Sequence, residues 1–272
     1  MRDTNFEPYP PGERVTFRER FEDDVDAYDR MRPVAPDTVF DEVISLCGLR
    51  RWSSLLEIGP GTGQATRPLA EREQRILALE IGSQLATRAR HNLAGFPAVT
   101  VLSTSFEAWD PGGAIFDAVF ACNSFHWIDP EVRLTKSAAV LRPRGHLAVL
   151  STPVVIPEDA DAFWWDIQDD WAAVGGGRVD PASKHPDLVP DLSYDLCAGG
   201  LFTEPAVLRH RFDVRCTAQE YATNLSTQTA VKALPVESRG ELLTRVESRI
   251  EAAGGTVTVH HLAILTVATR TE

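Results

Sequence analysis

The stretch Ser54-Leu55-Leu56-Glu57-Ile58-Gly59-Pro60-Gly61-Thr62-Gly63-Gln64-Ala65-Thr66-Arg67-Pro68-Leu69-Ala70 decides the fold. Its apolar run, Leu55, Leu56 and Ile58, is long enough for a buried strand and too short for a helix. Gly59, Gly61 and Gly63 follow, and a helical pattern begins at about Gln64. A strand that turns through glycines into a helix lets backbone come close to a ligand, because no Cβ stands in the way. The new helix also aims its free N–H groups and positive dipole end at that point. A tight strand-to-helix turn with no ligand is the plain alternative.

Glu57 stands two residues before Gly59, so the loop reads E-x-G-x-G-x-G and not the G-x-G-x-x-G of a dinucleotide turn. A carboxylate there repels a pyrophosphate and attracts an ammonium or a sulfonium. A second apolar run, Arg75 to Leu79, ends in Glu80, an acid placed at a strand tip to bond ribose hydroxyls. These residues closely resemble the class I S-adenosylmethionine-dependent methyltransferases. The resemblance implies that Glu57, Gly59, Gly61 and Gly63 hold the methionine end of S-adenosyl-L-methionine and that Glu80 holds its ribose. It extends cofactor contact to Gln64 and Ile81, their sequence neighbours.

Working outward, 272 residues suffice for a full core, read as one domain with insertions. A net charge of −12 argues against nucleic acid as partner, since a phosphate backbone needs a basic face. No stretch approaches the ~20 apolar residues of a membrane span, and the first residues lack a signal-peptide core, so a cytoplasmic protein without a membrane partner is expected. Cys47, Cys122, Cys197 and Cys216 are scattered without C-x-x-C spacing, which predicts free thiols and no metal site.

Residues 1 to about 15 read as an extended arm, and Phe17, Phe21, Val25 and Tyr28 recur at helical spacing over Thr16 to Tyr28. The segment Tyr28 to Pro33 resembles a stretch that lies across the cofactor pocket in the methyltransferase family, which implies cofactor contact by Tyr28 and Arg32. A third strand, Ala98 to Leu102, leads to Ser105 and Phe106. The family places an adenine-binding acid and a stacking residue at those two positions. Here a serine replaces the acid, and its hydroxyl can still accept the adenine amino hydrogen bond.

A fourth strand, Phe116 to Ala121, opens into Cys122-Asn123-Ser124-Phe125-His126-Trp127. The carboxyl end of such a central strand is where open α/β sheets bind ligands. This F-H-W run looks like the corresponding loop of the trans-aconitate-methyltransferase-like branch, and implies Asn123 on the cofactor and Phe125, His126 and Trp127 on the acceptor. His126 is the candidate catalytic base for a hydroxyl or amine acceptor; a carboxylate acceptor needs none. The plain reading makes Phe125 and Trp127 core anchors and His126 an ordinary hydrogen-bonded histidine. Arg142 to Gly145 reads as a sharp helix stop before a fifth strand, and the resemblance is clear from about Tyr28 to Ser151.

Residues 152–205 are too many for a plain crossover. Ala160, Trp164, Ile167 and Trp171 share one helical face beside the glycines at 175–177, which reads as a lid with Trp164 and Trp165 on the acceptor. Glu158 and five aspartates over 158–170 make that lid acidic and predict an acceptor that is not a polyanion. His260 and His261 fall on opposite faces of the last strand, one expected at the surface.

The expectation is an α/β class I methyltransferase fold, Rossmann-like, with a seven-stranded sheet, helices on both faces and a helical cap. Four regions follow: an arm and cap helix over 1–36, a cofactor-binding core over 37–151, a lid over 152–205 and completing strands and cap helices over 206–272. The expected activity is methyl transfer to a small, largely apolar acceptor, with O-methylation favoured over N- or C-methylation, by a monomer or homodimer. The rival readings are a nicotinamide-dependent oxidoreductase and a non-methylating protein on the same fold.

Overall fold

The structure, a computed structural model, describes residues 25–191, 193–197 and 199–271. The arm expected over 1–15 and the first part of the helix expected from Thr16 lie outside these residues. The described chain begins with α1 (Val25–Met31) and α2 (Asp37–Leu46). The central units follow: β1 (Ser54–Ile58), α3 (Thr66–Glu71), β2 (Arg75–Glu80), α4 (Ser83–Asn92), β3 (Val99–Ser103), β4 (Phe116–Cys122), α5 (Pro130–Val140) and β5 (Leu141–Ser151). After them come α6 (Phe163–Ala173), α7 (Ser193–Cys197), β6 (Ala206–Thr217), α8 (Ala218–Ser226), α9 (Thr229–Lys232), α10 (Val236–Ala252) and β7 (Thr256–Thr269).

The seven strands form one sheet in the order β3-β2-β1-β4-β5-β7-β6. The β1–β5 pairings are parallel, while β7 runs antiparallel between β5 and β6. Because side chains alternate across a strand, a sheet covered on both faces needs apolar residues at successive positions. Leu55, Ala118 and Phe120 accordingly pack with Val39, Phe40 and Ala86 of the α2–α4 layer. Their neighbours Leu56, Val119 and Ala121 pack on the other face with Ala138 and Val140 of α5 and Leu196 of α7. The carboxyl ends of β1 and β4 therefore lie side by side at the centre of the sheet, with the strand order reversing between them.

A separate apolar cluster forms a helical cap. Phe163, Trp164 and Ile167 of α6 meet Tyr221 and Leu225 of α8, Leu242, Val246 and Ile250 of α10, and Val257 of β7. The Thr217–Glu220 capping box starts α8, each side chain bonding the other residue's backbone N–H. Arg142 to Gly145 does not form a helix stop but lies within β5, whose pairing to β4 shifts between Phe116 and Ala118. The shift is held by Asp117, which accepts from Arg142 Nε at 2.7 Å and from the Ser54 N–H at 2.8 Å. All four cysteines are free. Among the described residues no helix is long and apolar enough to cross a membrane, and no group of side chains could hold a metal ion.

Candidate functional site

A cavity of about 470 Å³ opens above the carboxyl ends of β1, β2 and β4, bounded by α1 and by the segment after β5. Its floor is the glycine loop. Gly59 has φ +67°, and a Cβ on it would fall 2.6 Å from the Cβ of Ser124, so the loop after β4 seats directly on this glycine. The Ser124 hydroxyl donates to the Ile58 carbonyl and locks that contact. Gly61, at φ +61°, leaves room for the Tyr28 ring, whose atoms would stand 3.2 Å from an added Cβ.

Glu80 braces the same loop. Its Oε2 accepts from the Gly61 N–H and its Oε1 from the Gly82 N–H, both at 2.9 Å, and the side chain is buried. The parallel pairing of β1 with β2 makes this geometry, bringing the tip of β2 beside the turn that leaves β1. The sequence expectation assigned Glu80 to a ligand alone; the loop-bracing bonds were invisible to it.

Glu57 behaves differently. It is 0 % exposed, and among the described residues neither carboxylate oxygen meets hydrogen-bond geometry, the nearby Thr66 hydroxyl included. Burial pushes its carboxyl up to about 7; the Thr66 hydroxyl works against that shift and the Glu80 charge adds to it. A buried carboxylate without a partner is a costly arrangement that a cationic group in the adjoining cavity relieves.

Tyr28, Arg32, Gln64, Ile81, Ser105, Phe106, Asn123, His126 and Trp127 also line the cavity. Asp29 accepts from Asn92 Nδ2 at 2.8 Å and fastens α1 over the loop. The Arg32 guanidinium lies 4.8 Å from the centre of the Tyr28 ring. Burial pushes the Tyr28 phenol up, with Arg32 opposing. The Ser105 hydroxyl accepts from the Ala108 N–H at 3.1 Å and so shapes the turn that carries Phe106. His126 and Trp127 pack ring against ring at 4.9 Å.

Several expectations are corrected. Phe125 is 1 % exposed and packs with Leu56, Ile58 and Val149 below the cavity, because the short turn Phe125–Trp127 points its first ring at the core. Gly63 (φ +99°) is absent from the wall; a Cβ there would stand 3.0 Å from Leu93, so it lets α4 pack closely. Asn123 forms part of the wall with φ +53°, but its amide is engaged: Nδ2 donates to Thr152 Oγ1 and Oδ1 accepts from the Thr152 N–H, both at 2.8 Å. Trp164 is buried in the cap with its indole N–H directed to the Thr258 carbonyl, and Trp165 is 44 % exposed; neither reaches the cavity. The acids of this helix do not reach it either. Asp170 accepts two hydrogen bonds from Arg249, Asp169 pairs with Arg178, and Asp159, before the helix, pairs with Arg211, which weakens the charge argument against an anionic acceptor.

Lys184, Val189, Asn224 and Gln228 also line the wall and were not singled out in the sequence, and His261, read there only as a strand histidine, joins them. His260 and His261 are both buried, against the expectation of a surface histidine. His260 Nδ1 pairs with Asp213 at 2.8 Å, whereas His261 faces the cavity. No local signal marked His261: the chain after Ser151 carries Thr152–Val154 alongside β7 and brings them against it.

Residues 56–149 match the family model described as a methyltransferase domain. An uncharacterised methyltransferase of Mycobacterium tuberculosis is 30 % identical over 46 % of this chain and 49 % of its own length, so the chain spans about half of that relative. The trans-aconitate 2-methyltransferase of Delftia acidovorans is 25 % identical, covering 84 % of this chain and 87 % of that protein. Among solved structures, a putative type II methyltransferase from Anaeromyxobacter dehalogenans superposes with a TM-score of 0.63 at 20 % identity, over 88 % of this chain and 97 % of that one. What the two share is the fold, a seven-stranded α/β sheet with helices on both faces.

Proposed function

From a methyltransferase domain over residues 56–149, set in the class I methyltransferase fold, we propose that the chain is an S-adenosyl-L-methionine-dependent methyltransferase for a small-molecule acceptor. The observation that carries the reading is Glu57, a fully buried carboxylate with no hydrogen-bond partner among the described residues, behind a glycine cradle. Its chemistry fits a cation, and Gly59 and Gly61 let Ser124 and Tyr28 close against the loop, where any Cβ would collide with them. Bound there, the cofactor supplies a methyl group on a sulfonium, which leaves as a neutral thioether.

The chain's residues supply the rest. Glu57, Gly59 and Gly61 hold the methionine end, Glu80 and Ile81 border the ribose, and Ser105 and Phe106 border the adenine. Tyr28 and Arg32 close the cavity from above, and Gln64 packs beneath them, its Nε2 reaching the Asp29 carbonyl at 3.4 Å. His126 and Trp127 form the acceptor wall. Methyl transfer of this kind needs alignment and exclusion of water more than covalent help, and a recessed cavity favours both. A net charge of −12 supports a small molecule over nucleic acid as acceptor. The amides of Asn224 and Gln228 on the wall suit a neutral polar group, which supports O-methylation.

Titration with S-adenosylhomocysteine tests the reading. At about 100 times its dissociation constant the ligand adds ~2.7 kcal/mol, which raises the melting temperature by roughly 5–10 °C. NADH at the same concentration is expected to leave the melting temperature unchanged. A response to NADH alone would turn the assignment toward an oxidoreductase.

A further inference from the structure

His261 is a cavity histidine whose ring is held at its Nδ1 edge and on one face by described contacts. It sits on β7 beyond the end of β5, opposite Val154, and its ring stacks on Phe212 at 5.1 Å and 18°. Its Nδ1 lies 3.3 Å from the Thr152 carbonyl. A carbonyl only accepts, so Nδ1 carries the proton and Nε2 carries the lone pair. Thr152 is itself clamped through its N–H and its hydroxyl by the Asn123 amide, so the ring's orientation is set from the loop that closes on Gly59. Nε2 makes no hydrogen bond to any described residue, and the side chain is part of the cavity wall.

Resting on the methyl-transfer reading above, we infer that His261 is a catalytic residue, whose Nε2 receives the proton of a neutral hydroxyl acceptor. The O–H bond breaks with its proton passing to Nε2, and the electron pair left on oxygen forms the new O–CH3 bond. The pair of the broken C–S bond stays on the donor's sulfur. The product side is then a methyl ether, a thioether and a His261 imidazolium, which returns its proton to solvent once the cavity opens.

The surroundings keep the ring neutral beforehand. Burial lowers its proton affinity most, and the charges of His260 on β7 and Arg32 after α1 act in the same sense. The Thr152 carbonyl and Asp213 on β6 act against them. Lys184 is the other cationic group on the wall near this end of the site. This assignment moves the proton-accepting role away from His126, which keeps its place beside the acceptor.

The test uses full-length protein carrying ¹⁵N-labelled histidine and saturated with S-adenosylhomocysteine, with His261→Asn to assign the resonance. His261 is expected to show the Nδ1–H tautomer at neutral pH and to titrate below the ordinary histidine midpoint of about 6.5. 4-Methylumbelliferone, a small phenol, is then added as the hydroxyl probe. Its absorbance is expected to shift toward the phenolate on the wild type and on His126→Asn, and not on His261→Asn. A proton on Nε2, or a phenolate shift that His261→Asn retains or the wild type lacks, overturns the assignment. Loss of S-adenosylhomocysteine binding by the wild type would instead defeat the methyl-transfer reading, so the two failures are distinct.

Discussion

Glu80→Ala is expected to lose measurable affinity for S-adenosylhomocysteine together with about 2–6 kcal/mol of folding stability. Both effects come from the same two hydrogen bonds, those that Glu80 accepts from the Gly61 and Gly82 N–H groups. Removing the carboxylate leaves two buried backbone donors without an acceptor, at roughly 1–3 kcal/mol each. Gly61 then has nothing to hold it at φ +61°, and the cradle loses its shape. Glu80→Gln separates the contributions. Its amide oxygen can serve one N–H while its NH2 opposes the other, so about half of the stability loss is expected. Calorimetry reads the loss of affinity and urea denaturation the loss of stability. A Glu80→Ala protein whose melting temperature rises with ligand as much as the wild type's would remove Glu80 from the site.

Gly59→Ala is expected to cost about 2–5 kcal/mol and to abolish binding of S-adenosylhomocysteine. A left-handed backbone costs a Cβ-bearing residue about 1–2 kcal/mol, and overpacking a tight contact adds about 1–3. Here the contact is 2.6 Å from the Ser124 Cβ, and Ser124 is anchored on the Ile58 carbonyl, so neither side yields cheaply. Gly112→Ala is the control. It shares the left-handed backbone at φ +52°, with nothing within 4 Å of an added Cβ, so only the conformational cost remains. Equal losses in the two variants would show that the loop after β4 moves aside freely.

The sheet was legible because its evidence is local. Leu55, Leu56 and Ile58, then Arg75 to Leu79, mark strands by apolar runs between glycines and acids, and β1 and β2 form where those runs stand. The capping box at Thr217 and the end of α10 before Gly254 are likewise short-range signals. What stayed hidden depends on partners distant in sequence. Trp164 reads as a lid residue from its own helix, but Tyr221 and Val257 decide that it is cap interior. His261 reads as an unremarkable strand histidine until Thr152, 109 residues earlier, is brought against it. The acids over 158–170 read as an unbroken negative run because Arg249 and Arg211 are far along the chain. Arg142 to Gly145 misled for another reason: proline and glycine mark a turn and a strand bulge alike, and only pairing with β4 distinguishes them.

Glu57, held at about 7 by burial, makes ligand capture a proton-releasing event. Without a ligand a large share of the molecules carry a proton on this carboxyl near neutrality. A cation placed against it restores the ordinary carboxylate affinity, and the proton departs. The sign follows from the raised value. The folded, ligand-free chain draws stability from the protonated form, fully present below about 4.3 and lost as pH rises through about 7. Capture of a cationic ligand has the opposite slope, strengthening with pH across the same window. Calorimetry at pH 6.5 in buffers of different ionisation enthalpy should therefore report a fraction of a proton released per bound S-adenosylhomocysteine. Glu57→Gln should report none. Acidification would then loosen the chain's hold on a cationic ligand while leaving the ligand-free chain firmer.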